Sequence, residues 1–141
     1  YADGAFLAGG ADVAEYVLVS EAVEPGDVVE IDPENPKRYR KARTPYSPLI
    51  AGVVATQPGV ILGAHPSLEG RALLALLGRV PVKATAENGP IRPGDLLTSA
   101  SKPGYAMRCE SAQTCEGALL GKALTALEHG EGIVVVLLAA R

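Results

Sequence analysis

Glu24-Pro25-Gly26-Asp27-Val28-Val29 decides the fold, because it returns as Arg92-Pro93-Gly94-Asp95-Leu96-Leu97. Proline fixes φ, glycine takes the left-handed position and aspartate can accept from the backbone beside it, so each copy reads as a turn feeding a strand. An apolar run around a glycine follows each copy, Leu49-Ile50-Ala51-Gly52-Val53-Val54 and Leu119-Leu120-Gly121-Lys122-Ala123-Leu124. Pro25 to Pro93 is 68 residues and Gly52 to Gly121 is 69, so turn, strand, polar stretch and buried strand recur at one offset. The period is too long and its copies too few for a solenoid. The reading is an all-β, barrel-like domain built from two pseudo-repeated half-barrel units, about residues 24–63 and 92–137.

Composition agrees. A chain of 141 residues suits one domain and can bury a core without metal or disulfide staples. Apolar residues make up 48% but aromatics only 4%, so the core must be aliphatic. Sixteen glycines and eleven prolines fall between short β-branched runs, as strands and turns require. Strands are expected at residues 13–19, 28–31, 38–42, 49–55, 60–62, 96–99, 105–109, 117–127 and 133–139. Residues 68–77, Leu-Glu-Gly-Arg-Ala-Leu-Leu-Ala-Leu-Leu, favour helix by propensity but lead into strand-like alternation at residues 79–85. The reading there is strand from about Leu76, with room for one helical turn before it. Eight or nine strands of small aliphatic residues make either a tight barrel or one that leans on its neighbours, so self-association is expected.

A net charge of −3 argues against a nucleic-acid surface. The run Lys37-Arg38-Tyr39-Arg40-Lys41-Ala42-Arg43 holds five of the thirteen cations and reads as a solvated hairpin arm rather than a polyanion patch. No apolar stretch reaches the roughly eighteen residues of a membrane span. Tyr1-Ala2-Asp3-Gly4-Ala5-Phe6-Leu7 reads as a strand with an Asp-Gly turn, followed by the flexible Gly9-Gly10. Residues 1–11 are therefore expected to be the tail of an upstream segment or a linker, and residues 12–141 the C-terminal module of a larger protein.

Residues with chemistry to offer are scattered. Cys109 and Cys115 fit no zinc or redox spacing and can either close a small loop or remain two thiols. His65 and His129 stand alone, Asp32-Pro33-Glu34-Asn35-Pro36 lacks the ligand spacing of a calcium loop, and neither metal nor cofactor is expected. Ser99 or Ser101 with Lys83, Lys102 or Lys122 would make a Ser/Lys self-cleaving site if an unprotonated lysine reached the hydroxyl. The Ser99 to Gly104 stretch reads more simply as a turn.

Gly10-Ala11-Asp12-Val13-Ala14-Glu15-Tyr16 resembles the start of the autoprocessing intramolecular-chaperone domain, of G2 peptidase type, at the C-terminus of phage neck appendages and tailspikes. Ala51-Gly52-Val53-Val54-Ala55-Thr56-Gln57-Pro58-Gly59-Val60 and Gly121-Lys122-Ala123 are similar to later features of that family. Val80-Pro81-Val82-Lys83 and the stretch from Glu87 to Leu97 resemble C-terminal modules of bacterial repeat-rich proteins. The resemblance implies a cap that brings copies of an elongated β-structured body into register and then cuts itself free. Carried over, the scissile bond is Ala11-Asp12, with Asp12 and Glu15 as the catalytic carboxyls. A carboxyl three residues away reaches back only if the backbone bends, and a second with a raised pKa can protonate the leaving amine. The family places a hydroxyl residue before the aspartate where this chain has Ala11, which removes that side chain as a nucleophile. Glu15 otherwise reads as a barrel-edge carboxylate paired with Lys83 or Lys122.

The function expected is thus a C-terminal assembly module of a phage-type or bacterial surface fibre, on a virion or cell surface. Its partners are copies of itself, as a homotrimer, and the upstream fibre segment, with no nucleic acid and no membrane. A self-cleaving protease of the same shape is the enzymatic alternative. A surface-binding module is the third, disfavoured because one Phe, five Tyr and no Trp give little aromatic platform.

Overall fold

Short aliphatic runs broken by glycine and proline have nowhere to go but strands, and the described residues form ten strands and no helix. The structure is a computed structural model that describes residues 12–56, 60–63 and 69–138. In chain order the strands are β1 (Asp12–Val19), β2 (Val28–Ile31), β3 (Arg38–Lys41), β4 (Ile50–Val54) and β5 (Val60–Leu62). They continue as β6 (Arg71–Thr85), β7 (Leu96–Ser99), β8 (Ala106–Arg108), β9 (Gly121–Ala123) and β10 (Glu131–Leu138).

The pairings close on themselves twice, and β6 belongs to both circuits. One runs β6–β4–β2–β3–β1 and back to β6, the other β6–β8–β7–β9–β10 and back to β6. β6 is 15 residues long; its first half lies antiparallel to β1 and its second to β10, with Gly78 paired to Asp12 and to Leu138. Each circuit contains one parallel contact, Leu18↔Arg38 between β1 and β3 and Ala84↔Ala106 between β6 and β8. β5 lies outside both, parallel to β1.

The two Pro-Gly-Asp turns make the same bonds. Asp27 N donates to Glu24 O at 3.0 Å while Glu24 N donates to Asp27 Oδ2 at 2.9 Å; Asp95 and Arg92 repeat both at 3.0 and 2.9 Å. Gly26 and Gly94 sit at φ 92° and 96°, where a side chain is disfavoured. Their N–H groups donate to Val54 O at 2.9 Å and Ala123 O at 2.7 Å, fastening each turn to β4 or β9.

One core serves both circuits. Val28 and Val53 from the first, Val80 and Val82 from β6, and Leu97, Ala123, Val134 and Val136 from the second form a single buried cluster. A smaller cluster, Val29, Val54, Ala72 and Leu74, lies with Val17, Val19 and Tyr39 packed against it. Backbones approach closely beside these clusters. A Cβ on Gly52 would come within 2.6 Å of Ala75 O and 2.9 Å of Leu74 Cδ1, and one on Gly121 would collide with Leu137 O.

Two expectations need correction. The stretch before Leu76 is strand from Arg71 onward, with no helical turn among the described residues, because Leu73 to Ala75 are held between β1 and β4 and tertiary pairing outweighs helix propensity. The strand expected at residues 117–127 is only Gly121–Ala123. Before it Leu120 N donates to Leu97 O at 2.8 Å, and after it the chain bends at residues 124–125, where Thr125 Oγ1 accepts from Val135 N at 2.9 Å. The turn expected at residues 3–4 lies outside the described residues. Gly52→Ala should destabilise the fold by about 1–3 kcal/mol, because the atom struck is backbone and cannot swing aside. Urea unfolding with an unchanged m-value checks it.

Candidate functional site

The carboxylates singled out in the sequence lie at the start of β1. Asp12 is buried and shares its side of the strand with buried Ala14, whereas Glu15 lies on the half-buried side with Val13. Glu15 stands in register with Leu62 of β5 and Leu74 of β6. Strand alternation thus separates the two carboxyls that the family resemblance would bring together. Ala11 lies outside the described residues. Glu15 does not pair with Lys83, whose Nζ instead donates to Asp27 Oδ1 at 2.9 Å and to Glu24 Oε1. Lys122 is exposed and forms no ion pair among the described residues.

A Ser/Lys site is not assembled either. Ser99 Oγ is buried, donating to Thr44 O at 2.7 Å and accepting from Ser47 N at 2.8 Å, and Ser101 Oγ donates to Glu87 at 3.0 Å. Burial pulls the Lys83 amine down, but its bonds to Glu24 and Asp27 outweigh that and hold it above the ordinary lysine value. Lys102 is raised by its hydrogen bond to Glu131 and lies 4.6 Å from the Tyr105 ring centroid. Both amines stay protonated at neutral pH, so neither can serve as a base.

The basic run is largely absorbed by the fold. Arg40 Nε donates to Glu30 Oε2 at 2.8 Å, Arg38 to Val19 O at 3.2 Å and Arg43 to Glu21 at 2.8 Å. Glu30 is only 2% exposed, and its other oxygen accepts from Ser47 Oγ at 2.7 Å. The chain Arg40–Glu30–Ser47–Ser99–Thr44 therefore ties β2 and β3 of the first circuit to β7 of the second.

Cys109 and Cys115 are joined in a disulfide, with Cα atoms 5.9 Å apart, which settles the choice the spacing left open. Inside the loop Ser111 N donates to Thr114 Oγ1 at 2.9 Å and Thr114 Oγ1 donates to Ser111 O at 2.8 Å. This stiff loop walls an open groove of about 700 Å³ lined by Pro48, Ile50, Leu96, Leu119, Ala112 and Glu116. On the outer side of β10, Ile133 is 59% and Leu137 45% exposed with Val135 between them, and Leu77 of β6 is 48% exposed. Neither surface was legible beforehand: Ile133-Val134-Val135-Val136 reads as continuous apolar strand, and only its register on β6 tells inside from outside.

The fold occurs in a bacteriophage protein. The C-terminal fragment of bacteriophage phi29 gene product 12 superposes with a TM-score of 0.64 at 15% identity, covering 91% of this chain and 100% of that one. The pre-mature phi29 gene product 12 matches with a TM-score of 0.65 at 15% identity, over 92% of this chain and 21% of that one. This chain thus spans about a fifth of that longer polypeptide. No family model and no curated protein matches the sequence. At such identity the likeness is one of fold.

Two measurements probe the polar links. Arg40→Ala should cost roughly 3–5 kcal/mol by leaving Glu30 buried without its cation, and the double change Glu30→Met with Arg40→Leu should recover most of it in urea titrations. Glu24 is held below the ordinary carboxylate value by its hydrogen bond from Lys83, and Asp32 by those from Ser20 Oγ and Glu34 N. A depressed folded pKa stabilises above the unfolded value and is lost on acidification. Stability should therefore fall as pH drops below about 4.5, and Asp32→Asn should flatten that fall.

Proposed function

We propose that this chain is an assembly module of a phage-type or bacterial surface fibre, associating with copies of itself as a homotrimer and bringing the upstream segment into register. The observation that carries this reading is the exposed apolar outer side of β10 and β6 among the described residues. Among the described residues outside the edge strand β5, Ile133, Leu77 and Leu137 are the three most exposed large apolar side chains, and Ile133 and Leu137 lie on the same side of one strand. Exposed apolar patches of this kind mark interaction surfaces. The fold shared with the phi29 gene product 12 C-terminal fragment supports a fibre setting. The matching bonds of the two Pro-Gly-Asp turns support the reading of an internal duplication.

Folding linked to association makes stability depend on concentration. Sedimentation across a dilution series should show a self-associating species, and the thermal midpoint should rise with protein concentration. A monomer with a concentration-independent midpoint across the series would contradict the proposal.

A further inference from the structure

The apolar stripe and the apolar groove belong to the same outer surface and differ in shape and charge. Along β10, Ile133, Val135 and Leu137 face outward, in register with Lys83, Pro81 and Arg79 of β6. On the other side of β10, Leu137 is in register with exposed Lys122 of β9, and Lys122 is in turn in register with Leu96, which lines the groove. The stripe thus carries the exposed cation Lys122 on the flank that faces the groove. The groove is concave, walled by Pro48, Ile50, Leu96 and Leu119, with Glu116 on its lining and Glu110 exposed on the disulfide loop.

Among the described residues the stripe and the groove cannot meet each other, because they sit one strand apart on the same outer surface. A symmetric contact of stripe on stripe would bring the Lys122 cations of both copies to one interface and leave both grooves open, and like charges at an interface are costly. A head-to-tail contact sets cation against carboxylate and covers both apolar surfaces of every copy. Contacts of that type close into rings when the rotation permits.

Resting on the assembly reading, we infer that the partner is a second copy of this chain, whose β10 stripe enters the groove beside the disulfide loop, Lys122 of one copy facing Glu116 of the next. The stripe is disabled by Ile133→Glu with Leu137→Glu, and the groove by Ala112→Arg with Glu116→Lys. All four positions are exposed, and circular dichroism checks that the fold persists.

Each doubly substituted protein should be monomeric where the unsubstituted chain associates. An equimolar mixture should form a one-to-one dimer and go no further, since one intact stripe and one intact groove remain. Separately, Lys122→Glu or Glu116→Lys should each weaken association by about tenfold, and the charge swap combining them should restore most of it. Sedimentation velocity reads all of these. If the unsubstituted chain associates but the mixture stays monomeric, or the groove protein associates unhindered, the groove is not the partner surface while the assembly reading stands. If the unsubstituted chain is monomeric throughout, both fail. Should covalent labelling find Ile133 shielded in that monomer, the stripe is covered within the chain itself, and the second copy is excluded.

Discussion

Fifteen consecutive residues, Arg71–Thr85, must serve two circuits of strands at once, and the rest of the structure follows from that demand. Val80, Val82 and Ala84 turn inward to a core that both circuits share, so neither can be packed without the other. The pairing with β1 slips by one residue between Val13 and Ala14, and β6 absorbs the slip at Leu76. Past it, Leu77 emerges outward, in line with Arg79 and Pro81, onto the face that β10 extends. The apolar surface proposed to meet sister copies is thus a by-product of how the interior is filled.

Polar groups fix what the aliphatic core alone would leave loose. Small side chains pack in many ways, whereas Glu30 accepts from Arg40 and Ser47 in one register only. Among the described residues every buried side-chain nitrogen or oxygen has a partner. Asp27 has a second duty besides its turn: it lies 1% exposed against Lys83 of β6, drawing the first Pro-Gly-Asp turn onto the shared strand. The Asp95 carboxylate, in the second turn, is half-buried and accepts from Arg92 N, with no cation of β6 against it among the described ion pairs. These bonds account for Glu30, Arg40, Asp27 and Lys83, charged residues set into an aliphatic barrel.

Legibility in the sequence follows the range of the forces involved. Pro-Gly-Asp turns and β-branched runs are local, and strands 28–31, 60–62 and 96–99 are where the residues alone put them. Leu68 to Leu77 misleads because leucine and alanine are good helix formers, and only β1 and β4 on either side make a strand of the part from Arg71. Residues 117–127 mislead in the opposite sense, since an apolar run may supply side chains to a core without pairing along its whole length. The disulfide follows from a distance between two loop ends that spacing does not reveal. The groove combines Pro48 and Ile50 with Leu96 and Leu119, residues far apart in the chain, and no local pattern announces it.

The proposed role rests on two outer surfaces around an aliphatic interior, an apolar stripe on β10 and a groove with Glu116 in its lining. Carbene footprinting of the β10 face across a dilution series tests this most directly. The account predicts that Ile133 and Leu137 are shielded at high concentration and become fully labelled as the particle dissociates. Full labelling of both at the highest concentration would contradict it.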